Sequence, residues 1–285
     1  GNTGLMVSAL GLGAGQIGDA RLTESAVADL LNTAVDAGIT LIDTARGYGL
    51  SEERIGRHLA ARRNQIVLST KVGYGIEGHA DWTRSCICAG IEAALQRLQT
   101  DRIDIVHLHS CPWTTLAQGE VIAALEKAKQ EGKVRAIAYS GENEDLIWAL
   151  ECGRFDGFMA SLNLCDQRVI DTVLPHLGAR GFIAKRAMAN HPWRFFEQPH
   201  RDYCEAYWLR LKEMDLPGFG LPLDELALRF SLFQPGVSCA IVGTSKTENL
   251  LHNLEHLEQG ALPDYWTGLI RAAFVQHDHG WIGQI

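Results

Sequence analysis

No run of apolar residues in the 285-residue sequence reaches the roughly 20 needed to cross a bilayer as a helix. The first ten residues lack the charged start and apolar stretch of a secretory signal. Excess positive charge is missing too. The 26 Lys and Arg stand against 34 Asp and Glu, a formal net charge of −8, so no broad cationic surface serves a nucleic-acid backbone or an anionic membrane as partner. Nor is there a disulfide framework. The seven cysteines, at 86, 88, 111, 152, 165, 204 and 239, are odd in number and scattered, which reads as reduced thiols in a cytoplasmic protein. Cys86-x-Cys88 is too isolated for a zinc site. A chain that begins without methionine is expected to lack a short N-terminal piece. These absences leave a small-molecule site open, and 46% hydrophobic residues supply a large core. Oligomeric state is not readable.

What is present is a repeat of short apolar runs, each followed by a stretch with helical spacing. The runs are "SALGLG" (8–13), "ITLIDTA" (39–45), "QIVLSTKVG" (65–73), "IDIVHLHS" (103–110), "VRAIAYSG" (134–141), "GFMASLN" (157–163), "GFIAKRA" (181–187) and "SCAIVGT" (238–244). Helices are predicted over 23–38, 51–62, 83–100, 118–131, 143–152, 166–179, roughly 202–233, and 246–258, with Ser51 as the cap of the second. Eight strand-helix pairs without a low-complexity linker predict one α/β domain over residues 1–285, a single (β/α)8 TIM barrel. The segment 188–222 is too long for a minimal connection and reads as an extended insertion after strand 7, near the barrel mouth.

"GAGQIG" (13–18) fits G-x-G-x-x-G, and Asp43 follows about where a Rossmann fold places its ribose-binding acid. The helix that should open inside the motif is absent, because "DARLTES" intervenes before apolar periodicity resumes at Ala26. The glycines therefore read as loosening the first barrel loop.

Few strand ends carry groups suited to acid-base chemistry: Asp43, with Tyr48 in the loop behind it, Lys71 ending strand 3, and His109 ending strand 4. Barrel strand ends converge on one rim, so the four can meet. A tyrosine with an ordinary pKa near 10 donates a proton at neutral pH but leaves a poorly stabilised phenolate. Lys71 supplies a stabilising charge, and Asp43 keeps that buried lysine protonated. His109 can hydrogen-bond and orient a substrate oxygen. A proton donor for an oxygen, with no nucleophile nearby, suits hydride transfer to a carbonyl carbon.

"LIDTARGYGLSEERIG", "LSTKVG", "LQRLQTDRIDIVHLHS", "GKVRAIAYSG" and "IVGTSKTENLLHNL", in this order and spacing, resemble the aldo-keto reductase superfamily across nearly the whole chain. The resemblance implies a (β/α)8 barrel that binds a reduced nicotinamide, NADP(H) in preference to NAD(H), and reduces an aldehyde or ketone or runs the reverse reaction. Its catalytic tetrad falls on Asp43, Tyr48, Lys71 and His109, with Tyr48 as general acid. Cofactor phosphates are implied in the loop after strand 8, at Gly243, Thr244, Ser245, Lys246, Asn249 and Asn253, beside a helix N-terminus. Gly13 and Ala14 border the same cleft, and Lys246 is the obvious cation for an extra phosphate.

The clamp on the nicotinamide departs from the family pattern. Gly141 stands in place of asparagine after Ser140, Met159 in place of glutamine, Lys185 in place of a stacking aromatic, and Asn249 in place of an arginine. Of Lys185 and Arg186, alternation turns only one toward the barrel; Lys185 is assigned the inward position, against the alternative of a lysine reaching solvent. Trp82, Trp113 and Trp193 are the candidate substrate wall, suited to a sugar or an aromatic carbonyl. A metal-dependent hydrolase built on His107-x-His109 lacks further ligands at the other strand ends, so no metal is expected there, and His107 reads as a core histidine one layer below the rim. A cofactor-sensing regulatory subunit is the remaining alternative, and the complete tetrad argues against it.

Overall fold

In the computed structural model, which describes residues 1–285, all eight apolar runs become parallel strands. They are β1 Leu10–Gly13, β2 Leu41–Asp43, β3 Val67–Val72, β4 Ile103–His109, β5 Val134–Ser140, β6 Gly157–Ser161, β7 Gly181–Lys185 and β8 Cys239–Gly243. Each pairs with its successor, and β8 closes onto β1 with Gly13 opposite Gly243. The expected closed barrel is therefore what the chain forms.

Alternation along each strand separates two interiors. Outward side chains join the helices in one large apolar core. Inward ones build a small plug inside the barrel from Leu41, Val67, Met159, Ile183, Cys239 and Ile241. Two residues further along the same strands, the inward positions turn polar: Asp43 above Leu41, Ser69 and Lys71 above Val67, Ser161 above Met159, Lys185 above Ile183. A dry floor with a polar layer over it thus follows from the period of two.

The helices, in chain order, are α1 Glu24–Asp36, α2 Ser51–Leu59, α3 Arg84–Arg97, α4 Trp113–Leu116, α5 Glu120–Gln130, α6 Asn143–Glu151, α7 Val169–Thr172, α8 Glu205–Met214, α9 Leu223–Leu232, α10 Thr247–Glu258 and α11 Asp264–His277. Thr23 and Thr83 cap α1 and α3 by accepting from the amides of Ala26 and Cys86, satisfying donors that a helix start leaves free. None of them is long and apolar enough to cross a membrane.

Several expectations need correction. Ser51 does not cap α2: it is the first helical residue, buried, and its hydroxyl donates to the Ala14 carbonyl at 2.7 Å while accepting from Thr44. The helix expected over 166–179 shrinks to α7 and a 3-10 turn at Leu174–His176, because Pro175 lacks the amide that would continue it. The span 202–233 splits into α8 and α9. Asp215 ends α8 in the left-handed region, and Pro217, Gly218, Gly220 and Pro222 keep the chain non-helical until Leu223. Helix α11 follows α10 and had no counterpart among the predicted elements. The insertion after β7 contains a 3-10 turn at Pro192–Arg194 and α8, and its first part borders the barrel mouth.

Candidate active site

The end of β2 and the end of β3 bring their charges together. Lys71 Nζ lies 2.6 Å from Asp43 Oδ2, and both side chains are about 2% exposed. Lys71 also donates to the Thr44 carbonyl at 2.7 Å, and the Ser69 hydroxyl donates to the other Asp43 oxygen at 2.7 Å. Every charged atom of the pair is thereby matched, which a buried ion pair requires. Burial works to lower the pKa of the Lys71 ammonium, but the Asp43 carboxylate, with Tyr48 beside it, more than reverses this and leaves it above the ordinary value.

Tyr48 stands over this pair, with Lys71 Nζ 5.0 Å from its ring centroid. The loop that carries it is held by the first barrel loop. Leu50 donates to the Gly18 carbonyl at 3.1 Å, and a β-carbon on Gly18 would overlap the Tyr48 carbonyl oxygen, so glycine there is a requirement of close approach. Buried Arg54 fixes the same loop by donating to the carbonyls of Ile17, Asp19 and Leu22. The G-x-G-x-x-G resemblance of this stretch therefore reflects the seating of Tyr48 rather than a dinucleotide fingerprint.

His109, at the end of β4, meets Tyr48 edge-on with ring centroids 6.2 Å apart. Burial lowers its pKa, and the Lys71, Lys185 and Arg186 charges add to this, giving a value of about 3. The ring is neutral at physiological pH. Its Nδ1 lies 2.8 Å from the hydroxyl of Tyr74, which stacks on it. Tyr74 escaped the sequence reading, although "KVGYG" places it just past the end of β3. One layer below, fully buried His107 lies 3.1 Å from Ser69, and burial, followed by the Lys71 charge, holds its pKa well below normal. His107 is thus the core histidine that the sequence suggested. Burial also pushes the Cys111 thiol up to about 12, consistent with the lack of a nucleophile.

From Asp43 and Tyr48 an open cleft of about 590 Å³ runs between the β7 and β8 loops to Asn249 and Asn253. Gly13, Arg186, Gly243, Thr244 and Ser245 also line it. Ala14 is buried behind this wall, where its amide donates to the Asp43 carbonyl. Helix α10 has no side-chain cap: the Thr244 hydroxyl instead accepts from the Lys246 amide at 3.0 Å. Exposed Lys246 holds the cap position.

Lys185 faces the barrel interior and pairs with Glu142 at 3.1 Å, so the solvent-reaching alternative is excluded. Burial outweighs the Glu142 attraction and lowers its pKa. Glu142 Oε1 accepts in addition from the amide and hydroxyl of Ser161, and Arg186 donates to Ser161 at 2.8 Å and to Tyr203 at 2.9 Å. Met159 belongs to the apolar plug and offers no polar group. Gly141 donates to the Met159 carbonyl. Of the three tryptophans, Trp82 packs edge-on against Tyr74, Trp113 is 43% exposed, and Trp193 packs on His191; none of them lines the main cleft.

The tyrosine, the charged lysine and the neutral imidazole thus gather where the parallel strands end, the face on which barrels of this kind carry their active sites. The chain belongs to the aldo/keto reductase family, whose model matches residues 9–173, and is accordingly an oxidoreductase. It is 31% identical to L-galactose dehydrogenase of Arabidopsis thaliana over 89% of this chain and 85% of the relative. It is 29% identical to D-threo-aldose 1-dehydrogenase of a Pseudomonas species over 95% of this chain and 96% of the relative. Among solved structures, the holo form of an aldo-keto reductase from Bacillus halodurans superposes with a TM-score of 0.82 at 26% identity, covering 96% of this chain and 94% of the other.

Proposed function

We propose that this protein interconverts a carbonyl and an alcohol on a small polyhydroxylated substrate of the sugar class, using NADP(H) in preference to NAD(H), with Tyr48 as general acid. The observation that carries the proposal is the buried Lys71–Asp43 pair beneath Tyr48, at the end of a cleft that reaches from Tyr48 to Asn249 and Asn253. Two further observations fit the cofactor: Ser140 Oγ and Asn163 Nδ2 are buried without hydrogen-bond partners, as groups reserved for a carboxamide would be. Ser245, Asn249, Asn253 and the uncapped start of α10 would take the phosphate end, and Lys246 an additional phosphate. Bound nicotinamide would supply or accept the hydride. Named relatives that act on aldoses, and the polar Asn190, His191 and Arg194 along the cleft, support the sugar class. The unpaired cysteines favour a reducing, cytoplasmic setting.

In reduction, the Tyr48 hydroxyl gives its proton to the carbonyl oxygen as negative charge develops there. The Lys71 ammonium stabilises the phenolate left behind, and Asp43 holds that ammonium charged. Tyr74, donating to Nδ1 of neutral His109, leaves the imidazole proton on Nε2, where it can donate to the substrate oxygen and orient it toward Tyr48. In the opposite direction the same groups take the proton from an alcohol.

The test is purified protein with NADPH or NADH and a panel of aldoses and small aldehydes, and with the oxidised cofactors and the corresponding sugars. Carbonyl-dependent loss of reduced-cofactor absorbance, faster with NADPH, is the expected result. Tight cofactor binding without turnover on any carbonyl would instead establish a sensor.

A further inference from the structure

We propose that Asp224, His252 and His256 form a binding site for a divalent transition metal of the zinc class. His252 and His256 are four residues apart on α10 and so share one face of the helix, with ring centroids 4.1 Å apart. Asp224, in the first turn of α9, points its Oδ2 at both: 3.8 Å from His252 Nε2 and 3.6 Å from His256 Nε2. The three ligand atoms all lie within 4.8 Å of one another. Ligands at about 2.0–2.2 Å around tetrahedral zinc are about 3.3 Å apart, so the two edges to Asp224 close with shifts of a few tenths of an ångström. His252, half exposed, is free to make them.

Carboxylates also stand behind the two rings. His252 Nδ1 lies 3.2 Å from Glu255 Oε2, and His256 Nδ1 lies 3.7 Å from Glu225 Oε2. The carboxylate hydrogen-bonded at His252 Nδ1 takes that ring's proton and leaves its Nε2 lone pair facing the Asp224 carboxylate, the outer arrangement that orients metal-binding histidines, and Glu225 is placed to do the same for His256 once a cation takes its Nε2. His256 is 5% exposed, and its Nε2 is buried with no hydrogen-bond partner. A lone pair turned toward a carboxylate, beside a buried imidazole nitrogen without a partner, calls for a cation between them. Two imidazoles and one carboxylate suit zinc and leave its fourth position for water. Asp224 and His252 also line the open cleft, which gives the ion a route from solvent.

The test is calorimetric titration of chelator-treated protein with zinc chloride, on the wild type and on H252Q, H256Q and H279Q. The site predicts one saturable equivalent whose affinity falls at least about tenfold in H252Q and in H256Q and is retained in H279Q, which removes a histidine of the C-terminal tail. No saturable equivalent, or an unchanged affinity in any folded variant of His252 or His256, overturns the proposal. Should H256Q fail to fold, half-exposed His252 carries the test by itself.

Discussion

Replacing Lys71 by methionine keeps the length of the side chain and removes its charge. At an effective dielectric of about 20, two unit charges at the 5.0 Å separating Lys71 Nζ from the Tyr48 ring centroid interact by about 3 kcal/mol. That is roughly two orders of magnitude in rate if the phenolate charge is fully developed in the transition state. In the proposed mechanism the substrate meets Tyr48 and His109 rather than Lys71, so the loss should fall on kcat, with KM little changed. Removing one member of a buried pair also leaves Asp43 uncompensated, at about 3–5 kcal/mol. For a chain of this size that lowers Tm by on the order of 5–10 °C, so thermal unfolding must accompany the kinetics. Asp43→Asn provides the control. Without the carboxylate, burial acts on Lys71 with its main opposing charge gone and drives the pKa of the amine down. Lowering the pH restores the amine's proton, so the activity of Asp43→Asn should recover on mild acidification, whereas Lys71→Met has nothing to recover. A folded Lys71→Met with kcat within about threefold of wild type would refute the assignment of Lys71 as the group that stabilises the Tyr48 phenolate.

Gly18→Ala forces a β-carbon into the Tyr48 carbonyl, so both stability and turnover should drop, the latter at least about tenfold; unchanged kinetics would detach the first loop from the seating of Tyr48. The folded-state pKa values of His107 and His109 lie below the ordinary 6.5. Below about pH 6.5 the unfolded chain therefore binds more protons than the folded one, and stability should fall as pH drops from there toward about 3. Tm measured against pH should decline less steeply in His109→Gln than in wild type. Tyr74→Phe removes the partner of His109 Nδ1 and frees the ring to change tautomer. A loss of about 1 kcal/mol, fivefold or so in kcat/KM, is expected in steady-state assays. Lys185→Met should raise the affinity for oxidised relative to reduced cofactor, since a cation near the nicotinamide disfavours the positively charged ring; an unchanged ratio in binding titrations would count against Lys185 facing that ring.

The barrel was legible because each strand repeats one local pattern, and the polar layer because period two extends it: once Leu41 is inward, Asp43 must be, and Val67 carries Ser69 and Lys71 with it. Tyr48 needed only a short reach from β2. The helical misjudgements had local causes outside apolar spacing, in Pro175 and in the proline and glycine cluster of residues 217–222. Tyr74, between two glycines past β3 as Tyr48 is past β2, was missed because only the placement of β3 beside β4 brings its hydroxyl to His109. His252 and His256 did carry a sequence signal, two histidines four apart on a predicted helix, but Asp224 comes from another helix and its approach depends on how α9 packs against α10.

The replaced nicotinamide clamp shows the limit most clearly. Read position by position, Gly141, Met159 and Lys185 are three losses from the family pattern. In the fold the first two are packing decisions and the third an ion pair. A β-carbon at residue 141 would lie 2.5 Å from the Tyr139 hydroxyl, which is buried and donates to the Cys111 carbonyl, so the asparagine of the family pattern has no room unless that tyrosine moves. Met159 belongs to the apolar floor with Leu41 and Ile183, and a glutamine there would bury an amide among them. The lysine at the end of β7 then makes sense through Glu142. That carboxylate starts beyond the end of β5, bonds Ser161 at the end of β6 and reaches Lys185 at the end of β7, linking three consecutive strand ends where the family pattern places separate contacts. Glu142 sits outside every periodic pattern, in the turn "SGEN", and its partners lie in two later strands. Closing the barrel is what puts it between them.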